Sequence, residues 1–402
     1  MELHHQRPIR PDVSTKVPTR PLLDNARARA EGLRSQMVAA QEELDWHSYF
    51  LYGVTAEDLS LPPDGTPPIA NGERSFAIAL ARTGLEDGGD REWFSRHGST
   101  PITEIPSRWP DEYRALVEKR LALIESDRFV NLLERPEYKR RWNWESWEKL
   151  EAEALRSWLL DRLEAPELWG RPQLRSVAQL ADLLRADADF RQVAELYRCS
   201  PEVDLTALVG ELVADQAVPY LAAWRYTATG LRTRAVWEAT WDLQRREDAG
   251  EDVGTIPVPP KYGSGDFASK AIWSLRGKLD VPKERFVSYP GAGRETDPTL
   301  LVGWAGWDHL HQASALAAWY QERRNLDGWG ADKLTPVLAG LAELVPWLLQ
   351  WYDEPDPSIG MGMGTFFADF VATECRDLGL TPEASRLWAV PAPSRGRKRK
   401  TV

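Results

Sequence analysis

Apolar residues recur every three or four positions along most of the chain, a spacing that places them on one face of an α-helix. The first such segment follows Asp24 and Asn25, either of which can cap a helix, and it ends in an aromatic cluster before Gly53. The chain is therefore predicted to be mainly α, with a helical multi-domain architecture. The other stretches with helical spacing are 111–250, 309–323, 337–352 and 366–378.

Two short runs of β-forming residues interrupt the helical pattern. They cover 285–289 and 299–304, and the turn-rich segment 290–298 separates them. Two such runs joined by turn residues are typical of a hairpin. The sequence therefore predicts a small β-hairpin insertion near 284–305.

Proline and glycine divide the chain into segments of different character. Residues 1–22 are rich in proline, which lacks an amide hydrogen and disfavours helix, so we expect an extended arm. Residues 58–110 are rich in turn residues and contain one short helical pattern. The predicted segments are an extended arm (1–22), a coupling helix (23–57), a loop-rich linker (58–110), a helical domain (111–255), a mixed β and helical domain (256–390) and a basic disordered tail (391–402).

The composition is that of a globular protein, with 402 residues of which 43% are hydrophobic and 28% charged. Residues 1–25 lack the apolar core of a secretory signal, and no run approaches the roughly 18 apolar residues of a membrane span. Cys199 and Cys375 lie far apart and are expected to be reduced and buried. We therefore expect a cytoplasmic protein without membrane contact.

Three short segments, 134–144, 225–234 and 270–285, concentrate positive charge in a chain whose net charge is −11. Lysine and arginine neutralise phosphates, and neighbouring aromatic side chains can stack on bases. For each segment alone, a solvated helix face or internal ion pairs is the more common explanation, and the acidic body argues against general coating of nucleic acid. The third segment also contains Lys270 and Arg276. The DNA-binding candidates are Arg135, Lys139, Arg140, Arg141, Arg232, Arg234, Lys278, Lys283 and Arg285.

Motifs for catalysis are not evident. His309 and His311 form a His-x-His pair, but the pair lies where a helix begins, so the two rings should diverge. No glycine-rich stretch has the context of a phosphate-binding loop. Neither the methyl-donor loop nor the polar-Pro-Pro-aromatic motif of adenine methyltransferases is found, the nearest echo being 258–262. No residue is therefore assigned a catalytic or metal-binding role, and no cofactor is expected in this chain.

Several longer runs carry a family resemblance. The run 36–46 resembles a segment that follows the catalytic domain in large adenine-specific methyltransferases of phage defence. Later runs resemble the C-terminal part of the PglX family, the adenine-specific DNA methyltransferases of phage growth limitation and BREX type 2 systems. The resemblance covers most of residues 25–390. The later runs are 133–142, 241–248, 276–286 and 304–310.

The resemblance implies a role within a phage-defence methyltransferase. Members of the family methylate adenine N6 with S-adenosylmethionine, but their donor loop and Pro-Pro-aromatic motif lie upstream of the matched region. No catalytic residue can be carried over, and S-adenosylmethionine is expected on the catalytic part. The implied role is the C-terminal specificity or interaction portion, present as a split subunit, a truncated product or part of a longer protein. Double-stranded DNA, the catalytic domain or subunit and other defence proteins are the implied partners.

The coupling helix suggests a second role. Its aromatic end is a candidate for docking to the catalytic part, although the same residues are as well suited to packing on the helices of the chain itself. The competing function is a protein-interaction scaffold without DNA contact, which the acidic body and the 19 tryptophans favour. The docking candidates are Leu44, Trp46, Tyr49 and Tyr52.

Overall fold

A computed structural model describes residues 16–87, 91–140, 142, 145–355 and 360–390. The predicted fold class is confirmed, since the chain is mainly α with one small sheet. It divides into two compact units between Ala154 and Leu155. The segment boundaries drawn from the sequence at 58, 111 and 256 remain predictions. Most of the proline-rich arm, Arg141 and the basic tail 391–402 lie outside the described residues.

The first unit is built on one long helix that starts earlier than expected. This helix begins at Arg20, so the expected extended arm is wrong for residues 20–22. Pro21 lies in the first turn, where a helix needs no amide donor. The described helices of this unit are α1 (Arg20–Leu51), α2 (Ser75–Asp87), α3 (Arg91–Arg96), α4 (Asp111–Ser126), α5 (Arg128–Leu133) and the start of α6 (Trp147–Leu163).

The predicted linker contributes to the core of the first unit. Ile69 and Trp109 from this segment are buried in the same cluster as Trp46 of α1 and Tyr113 of α4. Apolar side chains in a segment rich in turns gain free energy when they are removed from water, even where the backbone is irregular. The segment therefore belongs to the packed body of the unit.

The second unit combines short helices with the sheet. The helical stripes predicted within 155–250 and after residue 309 are confirmed. Its described elements are α7 (Pro166–Trp169), β1 (Arg175–Ser176), α8 (Val177–Leu184), α9 (Ala188–Arg198), α10 (Leu205–Ala214), β2 (Ala217–Pro219), α11 (Ala222–Arg225), α12 (Ala228–Asp248), α13 (Lys270–Arg276), β3 (Phe286–Ser288), β4 (Leu301–Trp304), α14 (His309–Asn325), α15 (Ala331–Trp351), α16 (Met363–Asp377) and α17 (Pro382–Arg386).

The predicted hairpin is the centre of a larger sheet. β3 and β4 pair antiparallel with Val287 opposite Gly303, as the sequence indicated. β1 adds antiparallel to β4, and β2 adds parallel to β3, which gives the order β1-β4-β3-β2. These outer strands have only two and three residues, too few to show an alternating pattern.

Helix α15 is the one described helix long and apolar enough to cross a membrane. Half of its apolar stretch is buried inside the second unit, and core helices of soluble proteins pass the same test. Glu343 near its middle pairs with Arg225 and Arg234. These contacts favour a core helix. Cys375 on α16 is buried as expected, but Cys199 is exposed, because it ends α9 in a left-handed conformation at the surface.

Candidate nucleic-acid interface

Residues 255–285, here called the lysine segment, fold against the beginning of α12. The indole nitrogen of Trp237 donates to the carbonyl of Pro260 at 2.8 Å. A Cβ at Gly230 would lie 2.0 Å from the carbonyl oxygen of Asp266, so only glycine permits this close approach. The segment is thus fixed to the helix although most of it has no regular secondary structure.

Aromatic rings form the interior of this arrangement. Tyr226 and Tyr262 stack with ring centroids 5.5 Å apart, and Phe267 packs on both. All three are buried. These rings hold the lysine segment in place and are not exposed platforms for stacking bases.

The loop 277–283 is held by two side chains. Tyr226 donates its hydroxyl to Asp280, and the guanidinium of Arg276 binds both Asp280, at 3.4 Å, and Glu284, at 2.5 Å. Burial, and further the charge of Asp280, raise the pKa of Tyr226 to about 12, although Arg225 acts in the opposite sense. The phenol therefore remains protonated and able to donate at neutral pH.

The lysine segment has a charge opposite to that of the chain. It carries six basic and three acidic residues, a net charge of +3 in a chain of −11. Each of its three acids accepts a hydrogen bond from within the segment. Four of its lysines are exposed, and none forms an ion pair with any described residue. These are Lys261, Lys270, Lys278 and Lys283, and Arg232 on α12 is exposed as well.

Two predicted DNA contacts lie inside the second unit. Arg285 is buried, with Nη1 2.6 Å from carboxylates of both Asp161 and Glu164. Arg234 is half-buried between Glu238 at 3.0 Å and Glu343 at 3.1 Å. Their charges are neutralised internally, so we correct the prediction and remove both from the interface.

The first basic segment is also divided. Lys139 is buried beside Glu134 and Asp45, with its ammonium 3.2 Å from the latter, so it too is removed. Arg135 and Arg140 are exposed, and the Arg140 guanidinium lies 4.5 Å from the ring centre of Trp142. Arg141 lies outside the described residues. Of the basic residues predicted in the first segment, Arg135 and Arg140 are therefore the two that the structure shows to be exposed.

Lys139 belongs to a buried ion network in the first unit. Glu42 on α1 accepts from Arg74 at 2.7 Å, and Arg120 on α4 donates to Glu43 at 2.6 Å. Burial alone would raise the pKa of Glu42, but the charges of Arg74, Arg120 and Lys139 outweigh it and hold this pKa well below its ordinary value. Glu42 is therefore ionised, and its charge is compensated by its neighbours.

The docking candidates on α1 point in two directions. Trp46 is fully buried, and Tyr49 is half-buried with its hydroxyl 2.8 Å from Glu134, so both serve the core of the first unit. Leu44 and Tyr52 are exposed, at 57% and 86%. Leu44 belongs to an exposed apolar row on the side of the helix away from Trp46. This α1 stripe consists of Leu22, Leu33, Met37, Leu44 and Leu51.

Comparison with known sequences places the chain in a family. The profile described as Domain of unknown function (DUF7008) matches residues 37–399, about nine-tenths of the chain. The chain belongs to the DUF7008 family.

This DUF7008 chain is also similar to a larger protein. It is 48% identical over 397 residues to the adenine-specific methyltransferase PglX of Streptomyces coelicolor. The match covers 95% of this chain and 32% of PglX, so the chain spans about a third of the relative's length. This agrees with a C-terminal region of PglX and confirms the resemblance seen in the sequence. No solved structure matches the chain significantly.

Two features of this DUF7008 chain were not predicted from its sequence. Lys261 comes directly after two prolines, and the sequence does not show that it lies near the loop 277–283. The structure places it there, because the amide of Tyr262 donates to the carbonyl of Lys278 at 2.9 Å. The α1 stripe is not evident from the sequence, because the opposite face of the helix carries apolar residues as well. The 11-residue spacing of Leu22, Leu33 and Leu44 is the signal that would have revealed it.

Proposed function

We propose that this chain is the DNA-contacting portion of a phage-defence adenine methyltransferase related to PglX. The observation that carries the proposal is the lysine segment, in which the acids are engaged internally while four lysines face solvent. Methyl transfer, and S-adenosylmethionine with it, is assigned to the catalytic part of such an enzyme.

The chemistry of the segment suits phosphate contact. An ammonium group that pairs with no carboxylate among the described residues can replace the counterions condensed on DNA, and their release favours binding. Such contacts fix the register of a protein on the duplex without reading sequence. The acidic remainder of the chain repels DNA, so binding is directed to the positive segment.

The proposal is tested by fluorescence anisotropy with a labelled duplex of about 30 base pairs. Four phosphate contacts give a slope of about −3.6 for log K against log salt, so affinity should fall by about 100-fold between 50 and 200 mM. Absence of binding at 50 mM, or binding that is insensitive to salt, would contradict it.

A second candidate function is docking to the catalytic part of the methyltransferase, and the α1 stripe favours it. The stripe extends along nearly the whole of a 32-residue helix and turns away from the unit's own core. The chain spans about a third of PglX, so a protein of that length contains further structure to cover the stripe. Apolar side chains at helical spacing fit an amphipathic helix of that structure.

Replacing both Leu33 and Leu44 with glutamate is expected to weaken binding to the purified catalytic part by about 100-fold or more, since the new carboxylates would lose water without a partner. Isothermal titration calorimetry at 0.1 and 0.5 M salt measures this, and binding by the original chain should be nearly unaffected by salt. Leu326→Glu, at an exposed leucine of the second unit, is the control. Equal affinities for all three proteins would exclude the stripe as the docking surface.

A further inference from the structure

The loop 277–283 presents apolar side chains to solvent between lysines. Leu279 is 55% exposed and Val281 is 45% exposed, and Pro282 beside them is exposed as well. Lys278 precedes these residues and Lys283 follows them. Exposed aliphatic side chains set among lysines that pair with no described residue suit a partner that is both anionic and able to receive apolar groups.

The loop is fixed before any partner arrives. Besides the contacts of Asp280, the amide of Val281 donates to the Arg276 carbonyl at 3.1 Å. Asp280 adopts a left-handed conformation with φ of 50°, which is uncommon for residues other than glycine and which its side-chain bonds help to hold. Leu279 and Val281 are therefore displayed on a preorganised tip and lose little freedom on binding.

The positive charge lies at the base of this tip. A Cβ added to Gly277, the residue before Lys278, would lie 3.9 Å from the ammonium of Lys283. The Lys283 side chain therefore lies beside the start of the loop. The three acids of the segment are used internally, as described above. An anionic partner thus meets cations on the flanks and aliphatic groups at the centre.

We infer that the loop 277–283, here called the wedge loop, enters the minor groove of double-stranded DNA. Leu279 and Val281 insert at a base step and partly unstack it, while Lys278 and Lys283 contact the flanking phosphates. The inference rests on the proposed function and specifies its ligand. Proteins that bind the minor groove commonly use leucine, isoleucine or proline as wedges and kink the duplex by about 20–90°.

The wedge loop also predicts which DNA is preferred. Leu279 and Val281 form no side-chain hydrogen bonds and the two lysines are assigned to phosphates, so selectivity has to arise from the ease of deformation. Pyrimidine–purine steps such as TpA unstack most easily. A duplex with a central TpA step should therefore bind more tightly than one with an A-tract at the same position.

The experiment uses a duplex carrying 2-aminopurine at a central TpA step and a donor–acceptor dye pair at its ends. The chain is expected to raise 2-aminopurine fluorescence and shorten the end-to-end distance. A variant with Leu279→Ala and Val281→Ala should retain the salt dependence of binding but lose most of both signals. The matched control replaces Leu231 and Val236, an exposed leucine and valine on α12, with alanine and should retain them.

The outcomes separate the two proposals. Salt-dependent binding with no fluorescence change would overturn the wedge and leave the DNA-contacting role standing. No binding at 50 mM salt would overturn both. If the Leu279 and Val281 variant unstacks DNA normally but binds the catalytic part of the methyltransferase more weakly, the loop is a protein-docking surface and the inference is wrong. Thermal unfolding of each variant shows that the comparison is made between folded proteins.

Discussion

A variant with alanine at all four exposed lysines of residues 261–283 is expected to bind a 30-base-pair duplex about 10- to 100-fold more weakly at 50 mM salt. Each lysine that contacts a phosphate contributes about one unit to the salt slope, so the slope should become shallower by about 3 to 4. The loss should be nearly the same for every DNA sequence, because phosphate contacts carry no sequence information. Anisotropy titrations at several salt concentrations and with two unrelated duplexes measure both quantities.

The control removes the same amount of charge elsewhere. Four exposed cations that each form an ion pair with a nearby carboxylate are replaced by alanine. Because a paired cation has less to gain from a phosphate, this variant should bind DNA almost as the original chain does. If both variants lose affinity equally, binding reflects net charge and the lysine segment has no special part in it. The control positions are Lys119, Lys149, Lys333 and Arg246.

Arg120→Ala is expected to lower the stability of the first unit by about 3–5 kcal/mol, the range measured when one partner of a buried ion pair is removed. Arg120 is fully buried, and it binds Glu43 at 2.6 Å and the carbonyl of Leu59 at 2.6 Å. Its loss leaves carboxylates in a site from which water is excluded. Hydrogen exchange of the α1 and α4 amides in urea reports this unit separately from the second. Arg246→Ala, which breaks an exposed pair, should cost no more than about 1 kcal/mol.

The same network makes the unit sensitive to acid. The pKa of Glu42 is lowered on folding, so its ionisation stabilises the folded state above its ordinary value of 4.5, and that contribution is lost as the pH falls toward the folded value. Glu134 acts in the opposite direction, because burial and the charge of Glu42 raise its pKa despite Lys139. Without Arg120, the fall in stability below pH 4.5 should be shallower. An unchanged profile would show that Arg120 does not interact with Glu42.

Most of the fold could be predicted from the sequence, whereas the burial and pairing of the charged residues could be predicted only in part. Helical periodicity and the β3–β4 hairpin follow from spacing and turn residues, which are local signals. Whether a basic side chain is buried in an ion pair or exposed to solvent depends on residues that are far away in the sequence. Lys139 reaches Asp45, 94 positions away, and Arg285 reaches Asp161, 124 positions away. Basic residues in a row therefore predict positive charge but do not show which of them remain at the surface.

The orientation of α1 shows the same limit for apolar residues. Val38 and Trp46 form one apolar face and Leu33 and Leu44 another, and both have helical spacing. Spacing alone does not say which face turns inward. Only the partners decide, namely the arginines that neutralise Glu42 and Glu43 on the side of Trp46.

The order of strands in the sheet has a consequence for how the second unit forms. β1 pairs with β4 through Arg175 and Val302, so the sheet closes a stretch of well over a hundred residues. Contacts between residues so distant in sequence slow folding, because the entropy of closing the intervening chain is lost before the contacts repay it. During synthesis, β2 and β3 can pair with each other, but β1 and the second edge of β3 remain unpaired until β4 leaves the ribosome. A nascent chain that stalls before residue 301 would thus expose strand edges, so β4 is the strand that completes the sheet of the second unit.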